Sequence, residues 1–306
     1  MVNYAVVSAS SAEYFPLLKG LLASLRQLGR VPIHVLDLGM TRDMLSELHD
    51  QGVATHIPDW DIRPKRKKVI SRHGHKIPLP DHYRAFTAQP FLPKYVPGYD
   101  VLLWIDADCW VQDASAVDLA VKTASDGTMA ISVEASHCYP APYWRLKSHF
   151  REFVRAFGWR QGLFLLKKIT ANVGVIALRT DAPHWGLWQR ATAHAMRIPH
   201  ARSQQMAMNY VVYIDGAPTA FLPASCNWQT WEATPQFDER TGLLVEPQPP
   251  YRPIGIIHNA QDDKNLVFSV KTRQGSTLRA TMRYEQWHQS GASLPDAASV
   301  VGVHAA

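Results

Sequence analysis

The run "DVLLWIDADCWVQD", residues 100–113, ends an apolar stretch in Asp106-Ala107-Asp108. Burying a carboxylate is costly unless a positive group lies beside it, so two of them at the end of a strand that reads as fully buried need a partner. On a regular strand, residues i and i+2 point to one side, which turns Asp106 and Asp108 towards one crevice. Two close carboxylates repel unless a cation lies between or near them. A hard divalent metal, still open to phosphate oxygens, suits that pair. The competing account has one aspartate cap the following turn and leaves the other in solvent, and a motif this short does not decide between them.

The elements that must deliver these aspartates can be read from periodicity. "YAVVSA" has the form of a short buried strand, and the leucines from Leu17 to Leu28 recur at helical spacing up to Gly29. "VPIHVLDL" is a second strand, Thr41 caps a helix that ends at Gly52, and "VATHI" is a third strand. This β-α-β-α-β order predicts a parallel sheet covered on both faces. "DHYRAFTAQPFL" is expected to be helical up to Pro90, and "GYDVLLWI" to be a central strand with Asp106 at its C-terminal end, where ligands of open parallel sheets sit. "GTMAISV" and "NVGVIAL" are further strands. Residues 142–157, "DAPHWGLWQRATAHAM" and "SQQMAMNYVVY" are helices, and "YRPIGIIH" is a late strand ending in His258. Residues 229–251 are expected to be a long loop, and the tail after Ser290 has little to bury.

With 46% hydrophobic and 19% charged residues, the 306-residue chain has the composition of a folded enzyme or binding protein rather than a disordered one. It has no signal-peptide pattern and no apolar run of membrane-spanning length, so the sequence predicts a cytoplasmic protein. Cys109, Cys138 and Cys226 are widely spaced, without a CxxC pair, and are expected to be free thiols. Part of the net charge of +6 is gathered in "RPKRKKVISRHGHK", residues 63–76, which reads as a loop. That loop is either a solvated face or a contact for an anionic surface, which would hold the protein peripherally at the inner membrane. Nothing interleaves aromatic and basic residues as nucleic-acid binding would need, so no nucleic-acid partner is expected.

Five segments then occur in a collinear order. "YRAF" with "YDVLLWIDADCWV", "ANVGVIAL", "QQMAMN", "CNWQ" and "HNAQDDK" together resemble the retaining glycosyltransferases of family 8, which have the GT-A fold. The resemblance runs from residue 3 to about 266. It implies an α/β, Rossmann-like, mostly parallel sheet with helices on both faces. Residues 1–110 would form a nucleotide-binding half and 111–266 an acceptor and sugar half, followed by a C-terminal helix and tail over 267–306. It also implies Mn²⁺, or Mg²⁺, and a nucleotide-sugar donor. Asp106, Asp108 and His258 would be metal ligands, with Asp106 also contacting the ribose. Ser8, Tyr14, Arg84, Gly174 and Lys264 would contact the donor, Lys264 through its diphosphate. Asn172 and Gln205 would act at the donor sugar, Gln205 on the β face of the anomeric carbon. Asn209 and Asn227 either line the acceptor pocket or cap local backbone.

Departures from the family pattern are concentrated at recognition positions. Ser11 stands where an acidic residue often reads uracil, Gln204-Gln205-Met206 replaces the family's D-Q-D, and Gln261 replaces a glycine. The acceptor is expected to be a glycan or lipid-linked molecule, with Trp144, Phe150 and Trp231 either stacking on it or packed in the core. Without an evident carboxylate to serve as nucleophile, a front-face displacement is expected. The rival readings are a sugar-phosphate nucleotidyltransferase, for which "SASSAEY" is a poor phosphate loop, and a non-catalytic nucleotide- or carbohydrate-binding protein.

Overall fold

The computed structural model describes residues 2–71, 74–140 and 142–288, so the tail after Ser290 lies outside the described residues. The first half follows the periodic reading. Strand β1 (Tyr4–Ser10), helix α1 (Phe15–Leu25), β2 (Ile33–Asp37), α2 (Arg42–Asp50) and β3 (Ala54–His56) form the expected parallel β-α-β-α-β unit at one end of a sheet. The Thr41 hydroxyl accepts from the Met44 N–H at 3.4 Å at the start of α2, and Gly52 closes that helix region with φ 74°. The basic run is not simply a loop. It contains two short antiparallel strands, β4 (Lys68–Ile70) and β5 (Lys76–Pro78), with Val69 fully buried between them and the body. Charge spacing hid one apolar anchor.

Helices α3 (Tyr83–Ala88) and α4 (Leu92–Tyr95) lead to β6 (Val101–Ile105), every residue of which is buried. Strand β7 (Cys109–Val111) follows at once, then α5 (Ala114–Ser125), β8 (Met129–Val133), α6 (Tyr143–Phe157), α7 (Trp159–Leu166) and β9 (Ala171–Arg179). Helices α8 (His184–Ala195) and α9 (Ser203–Tyr213) and strand β10 (Thr219–Leu222) complete the main sheet, whose order is β10-β8-β9-β6-β1-β2-β3. Only β9 runs against its neighbours, so the sheet is mostly parallel, as expected. Alternation along β6 sends Leu102 and Trp104 into the apolar layer under α6, α8 and α9, and Leu103 and Ile105 into the layer under α1 and α5. Each such side chain contributes about 2 kcal/mol on burial. That fixes the strand from which Asp106 emerges.

The segment 229–251, expected to be a long loop, also holds short strands. Residues β11 (Trp228–Gln229), β12 (Gln236–Asp238) and β13 (Leu243–Val245) precede β14 (Ile256–His258), and β11, β14 and β7 make a three-stranded sheet. Beyond residue 266 the sequence suggested a helix, but the described residues form the hairpin β15 (Phe268–Lys271) and β16 (Thr277–Ala280) and a one-turn helix α10 (Tyr284–Trp287). Val270 and Met282 from this segment pack with Trp110, Trp228 and Ile257, and the Trp110 indole donates to the Met282 carbonyl at 2.9 Å. All three cysteines are buried free thiols. No helix among the described residues is long and apolar enough to cross a membrane.

Candidate active site

Strand β6 stops at Ile105, and the chain turns through 106–108, with the Cys109 N–H donating to the Asp106 carbonyl at 2.9 Å. The two aspartates therefore come together through a turn, not through the strand pleat. The turn leads into β7, which pairs antiparallel with β14 so that Cys109 lies opposite His258. This long-range pairing sets the imidazole beside the carboxylates. His258 Nε2 is 3.3 Å from Asp108 Oδ1 and 3.9 Å from Asp106 Oδ2. Lys264 Nζ donates to Asp108 Oδ2 at 2.6 Å and to the Asn259 carbonyl at 2.8 Å, and it lies 5.8 Å from the ring centroid of Tyr14. The Trp104 indole N–H donates to Asp106 Oδ1 at 2.7 Å, and the Asp106 N–H donates to the Gly174 carbonyl at 2.9 Å.

A chain of hydrogen bonds determines the tautomer of His258. The Gly174 backbone N–H, which can only donate, lies 2.8 Å from Asn172 Oδ1, so that atom must be the amide oxygen. The Asn227 atom 2.9 Å from the same oxygen is then its Nδ2, which also donates to Ser132 Oγ at 2.8 Å. The remaining Asn227 oxygen lies 2.8 Å from His258 Nδ1, which must carry the proton. With its Nδ1–H engaged by Asn227, His258 turns Nε2 towards the two carboxylates. Nε2 there either carries a second proton and donates to Asp108 or offers its lone pair to a cation shared with the carboxylates, and an imidazole held through its Nδ1–H has the arrangement of a metal ligand. Burial and the neighbouring Asp108 raise Asp106 to about 6, while His258 and Lys264 outweigh burial at Asp108 and hold it well below the usual carboxylate range. Cys109 Sγ lies in the same cluster, but burial and the two aspartates keep its thiol protonated. The fitting donors for a hard divalent ion are the two carboxylates and the imidazole.

A second carboxylate site, missed in the sequence, lies at the end of β8. Glu134 is buried, and its Oε1 accepts from Asn172 Nδ2 at 3.0 Å and from Gln205 Nε2 at 2.7 Å. Both amides are thereby oriented, and the Gln205 oxygen is the end turned away from Glu134. His149 Nε2 lies 3.4 Å from Glu134 Oε2 but accepts from the Arg202 guanidinium at 3.1 Å, and burial lowers His149 so that it stays neutral. Glu134 Oε2 is thus an acceptor with no donor among the described residues. Burial opposes the charge on Glu134, but the charges nearby and the two amide donors more than offset it and hold the group ionised. "GTMAISVE" does end an apolar run in a carboxylate, as "VLLWID" does, but the residues that hold it are distant in sequence.

The remaining sequence candidates are distributed as follows. Ser8 is wholly buried on β1, its hydroxyl without a hydrogen-bond partner among the described residues. Arg84, on α3, donates to the Asp81 carbonyl at 3.4 Å and makes no hydrogen bond or ion pair with the other candidates among the described residues. Asn209 ties its helix to β9, accepting from the Ala171 N–H at 2.8 Å and donating to the Ala171 carbonyl at 2.9 Å, and also donates to the Gln205 carbonyl of its own helix at 2.9 Å. Trp144 is exposed and lies 5.8 Å from Trp231, so these two are not core residues, and Phe150 sits edge-on to Trp159.

Gly174 has a visible steric role. A Cβ there would lie 2.7 Å from His258 Cε1 and 2.9 Å from its Nδ1. Gly174→Ala is expected to cost about 1–3 kcal/mol of stability by overpacking. It should also weaken Mn²⁺ binding by about tenfold to a hundredfold as the imidazole is pushed aside. Thermal melts and metal titration read the two effects separately, and a lowered melting temperature with unchanged metal affinity would remove His258 from the ligand set.

No protein-family profile matches the chain, and no curated protein matches it in sequence. Solved structures do match in fold. A galactosyltransferase, LgtC, in complex with donor and acceptor sugar analogs is 13% identical, over 84% of this chain and 87% of that one, with a TM-score of 0.52. Mouse xyloside xylosyltransferase 1 is 14% identical, over 85% of this chain and 98% of that one, with a TM-score of 0.54. A bifunctional glycosyltransferase, WbbM, is 14% identical over 86% of this chain, which spans 46% of its length, with a TM-score of 0.51. The chain has the mixed α/β fold of these GT-A proteins.

Proposed function

We propose that the chain is a metal-dependent glycosyltransferase moving a sugar from a nucleotide-sugar, a UDP-sugar first among them, to a glycan or lipid-linked acceptor with retention of anomeric configuration. The single observation that carries this reading is the Nε2 of His258, its ring held through Nδ1–H, turned on Asp106 and Asp108 at the C-terminal edge of a parallel sheet. A divalent cation held by these three residues, with Mn²⁺ accepting the nitrogen more readily than Mg²⁺, would supply Lewis-acid neutralisation of the charge growing on the departing diphosphate.

The chain's own residues do the rest. Lys264, beside Asp108, is a point charge for the diphosphate. Tyr14, 38% exposed and near Lys264, offers a ring face to the nucleotide base. Ser8 and Arg84 stay candidates for donor contacts on the resemblance alone. Asn172 has both ends of its amide engaged and works by holding Glu134, Asn227 and, through Asn227, the His258 ring. Glu134 supplies what the sequence lacked, a fixed negative charge beside Gln205. Its oxygen and that of Gln205 are suited to stabilise an oxocarbenium-like centre while the departing phosphate oxygen takes the acceptor proton and the acceptor oxygen bonds the anomeric carbon on the same face.

Calorimetric titration with UDP, GDP, CDP and dTDP, each with Mn²⁺ and again with EDTA, tests the reading. Metal-dependent binding of one nucleotide is the expected result and names the donor class. Metal-dependent binding of none would overturn the transferase and leave the aspartates as structural residues.

A further inference from the structure

Helices α6 and α7 form a hairpin whose two sides are unlike. The inner stripe of α6, His149, Glu152, Phe153 and Ala156, recurs at helical spacing and is buried against the body. The outer side carries large apolar groups in solvent: Tyr143 is 78% exposed, Trp144 58%, Trp159 64% and Phe164 43%, with Leu146 and Leu163 beside them. Gly162 lets the two helices close up, since a Cβ there would meet the Val154 side chain at 2.6 Å. The polar groups exposed over 143–169 are cations, Lys147, Arg151, Arg160, Lys167 and Lys168, and no acidic residue of that span is exposed. The Glu152 carboxylate is turned inward to Arg202 at 2.9 Å. The basic hairpin β4–β5 adjoins this face, a Cβ at Gly74 lying 3.8 Å from the Arg151 guanidinium.

We infer that the outer face of α6–α7 docks on an anionic lipid bilayer, with the aromatic side chains in the headgroup region and the lysines and arginines on the lipid charges. Amphipathic helices with aromatic residues ringed by cations bind such interfaces, whereas a face without a single exposed carboxylate is a poor seat for a second copy of itself. The net charge of +6 adds to that repulsion between copies. The docking does not depend on the transferase reading, but it would suit it. α6 presents its outer stripe to lipid and His149, which faces Glu134, to the site, so a lipid-linked acceptor would have a short path between them.

Sedimentation of the full chain with phosphatidylcholine vesicles, and with vesicles that also contain phosphatidylglycerol, tests the inference without reference to activity. Binding is expected only to the anionic vesicles and should weaken as salt is raised. Trp159→Ser with Phe164→Ser should lower the partition at least about tenfold, and Lys167→Ser with Lys168→Ser should lower it about fivefold for each cation removed. Melting temperatures should be unchanged, since these side chains are exposed. Absence of binding to anionic vesicles at low salt, or equal binding by both variants and the parent, would overturn the inference. So would a dimer in solution that the Trp159→Ser, Phe164→Ser variant converts to monomer, because the face would then be a protein interface.

Discussion

Asp108→Asn is expected to abolish the response of the chain to Mn²⁺ and to lower turnover of the donor by at least about a thousandfold, roughly 4 kcal/mol of lost transition-state stabilisation. The substitution keeps volume and removes charge at the one residue that faces both His258 Nε2 at 3.3 Å and Lys264 at 2.6 Å. Asn cannot supply the negative charge that would hold a divalent cation beside Asp106 and His258, and Lys264 loses a close counter-ion. A ligand that binds only the folded state stabilises it, by about 2.7 kcal/mol at a hundredfold excess over its Kd. The parent should therefore melt at a higher temperature with Mn²⁺ and UDP than with EDTA, and the variant at the same temperature in both. Equal metal-induced shifts in parent and variant would take Asp108 out of the ligand set and with it the reading of the turn as a metal site.

That turn shows what was legible. An apolar run ending in two aspartates needs no partner sequence to be noticed, because burying charge is expensive wherever the run sits. Its geometry was less legible: the pleat argument gave the right neighbourhood for the wrong reason, since Asp106 and Asp108 lie in a turn closed by the Cys109 N–H. His258 was reached only through a resemblance. The physical reason for its position is the β7–β14 pairing, and nothing local in "IIH" announces a partner strand almost 150 residues earlier. Glu134 fell to the same limit. Its donors are 38 and 71 residues away, so a lone strand-end glutamate gave no sign of being held by two amides. The hairpins at 68–78 and 236–245 were hidden because their strands are three residues long and lie among charges and prolines. Such strands are set by tertiary contacts more than by propensity. The long periodic elements, α1, α2, α9 and the buried strands β1, β6 and β9, were visible because their apolar spacing persists over several turns or pleats.

Glu134→Gln is expected to separate catalysis from stability. In the parent, Oε2 is a buried acceptor with no donor, facing the unprotonated Nε2 of a neutral His149 at 3.4 Å. The lone pair of that nitrogen is already taken by Arg202, so an NH₂ in place of Oε2 gains no acceptor there, while the oxygen that remains still accepts from Asn172 and Gln205. The change exchanges one unsatisfied buried polar atom, at a cost of about 1–3 kcal/mol, for another, so the variant should melt close to the parent. Arg202 keeps Glu152 as a counter-ion at 2.9 Å and is not left alone by the change. Function should move while stability does not. If the free carboxylate oxygen stabilises positive charge that exists only as the glycosidic bond breaks, its loss lowers kcat by about a hundred- to a thousandfold and leaves KM and metal-dependent UDP binding within about threefold. A carboxylate that only braced His149 and Arg202 would give the reverse pattern, an unchanged kcat in whatever fraction stays folded. The parent's strain at Glu134 Oε2 then has a use: an acceptor held without a donor is a poor choice for folding and a good one for meeting a cation that appears only during the reaction.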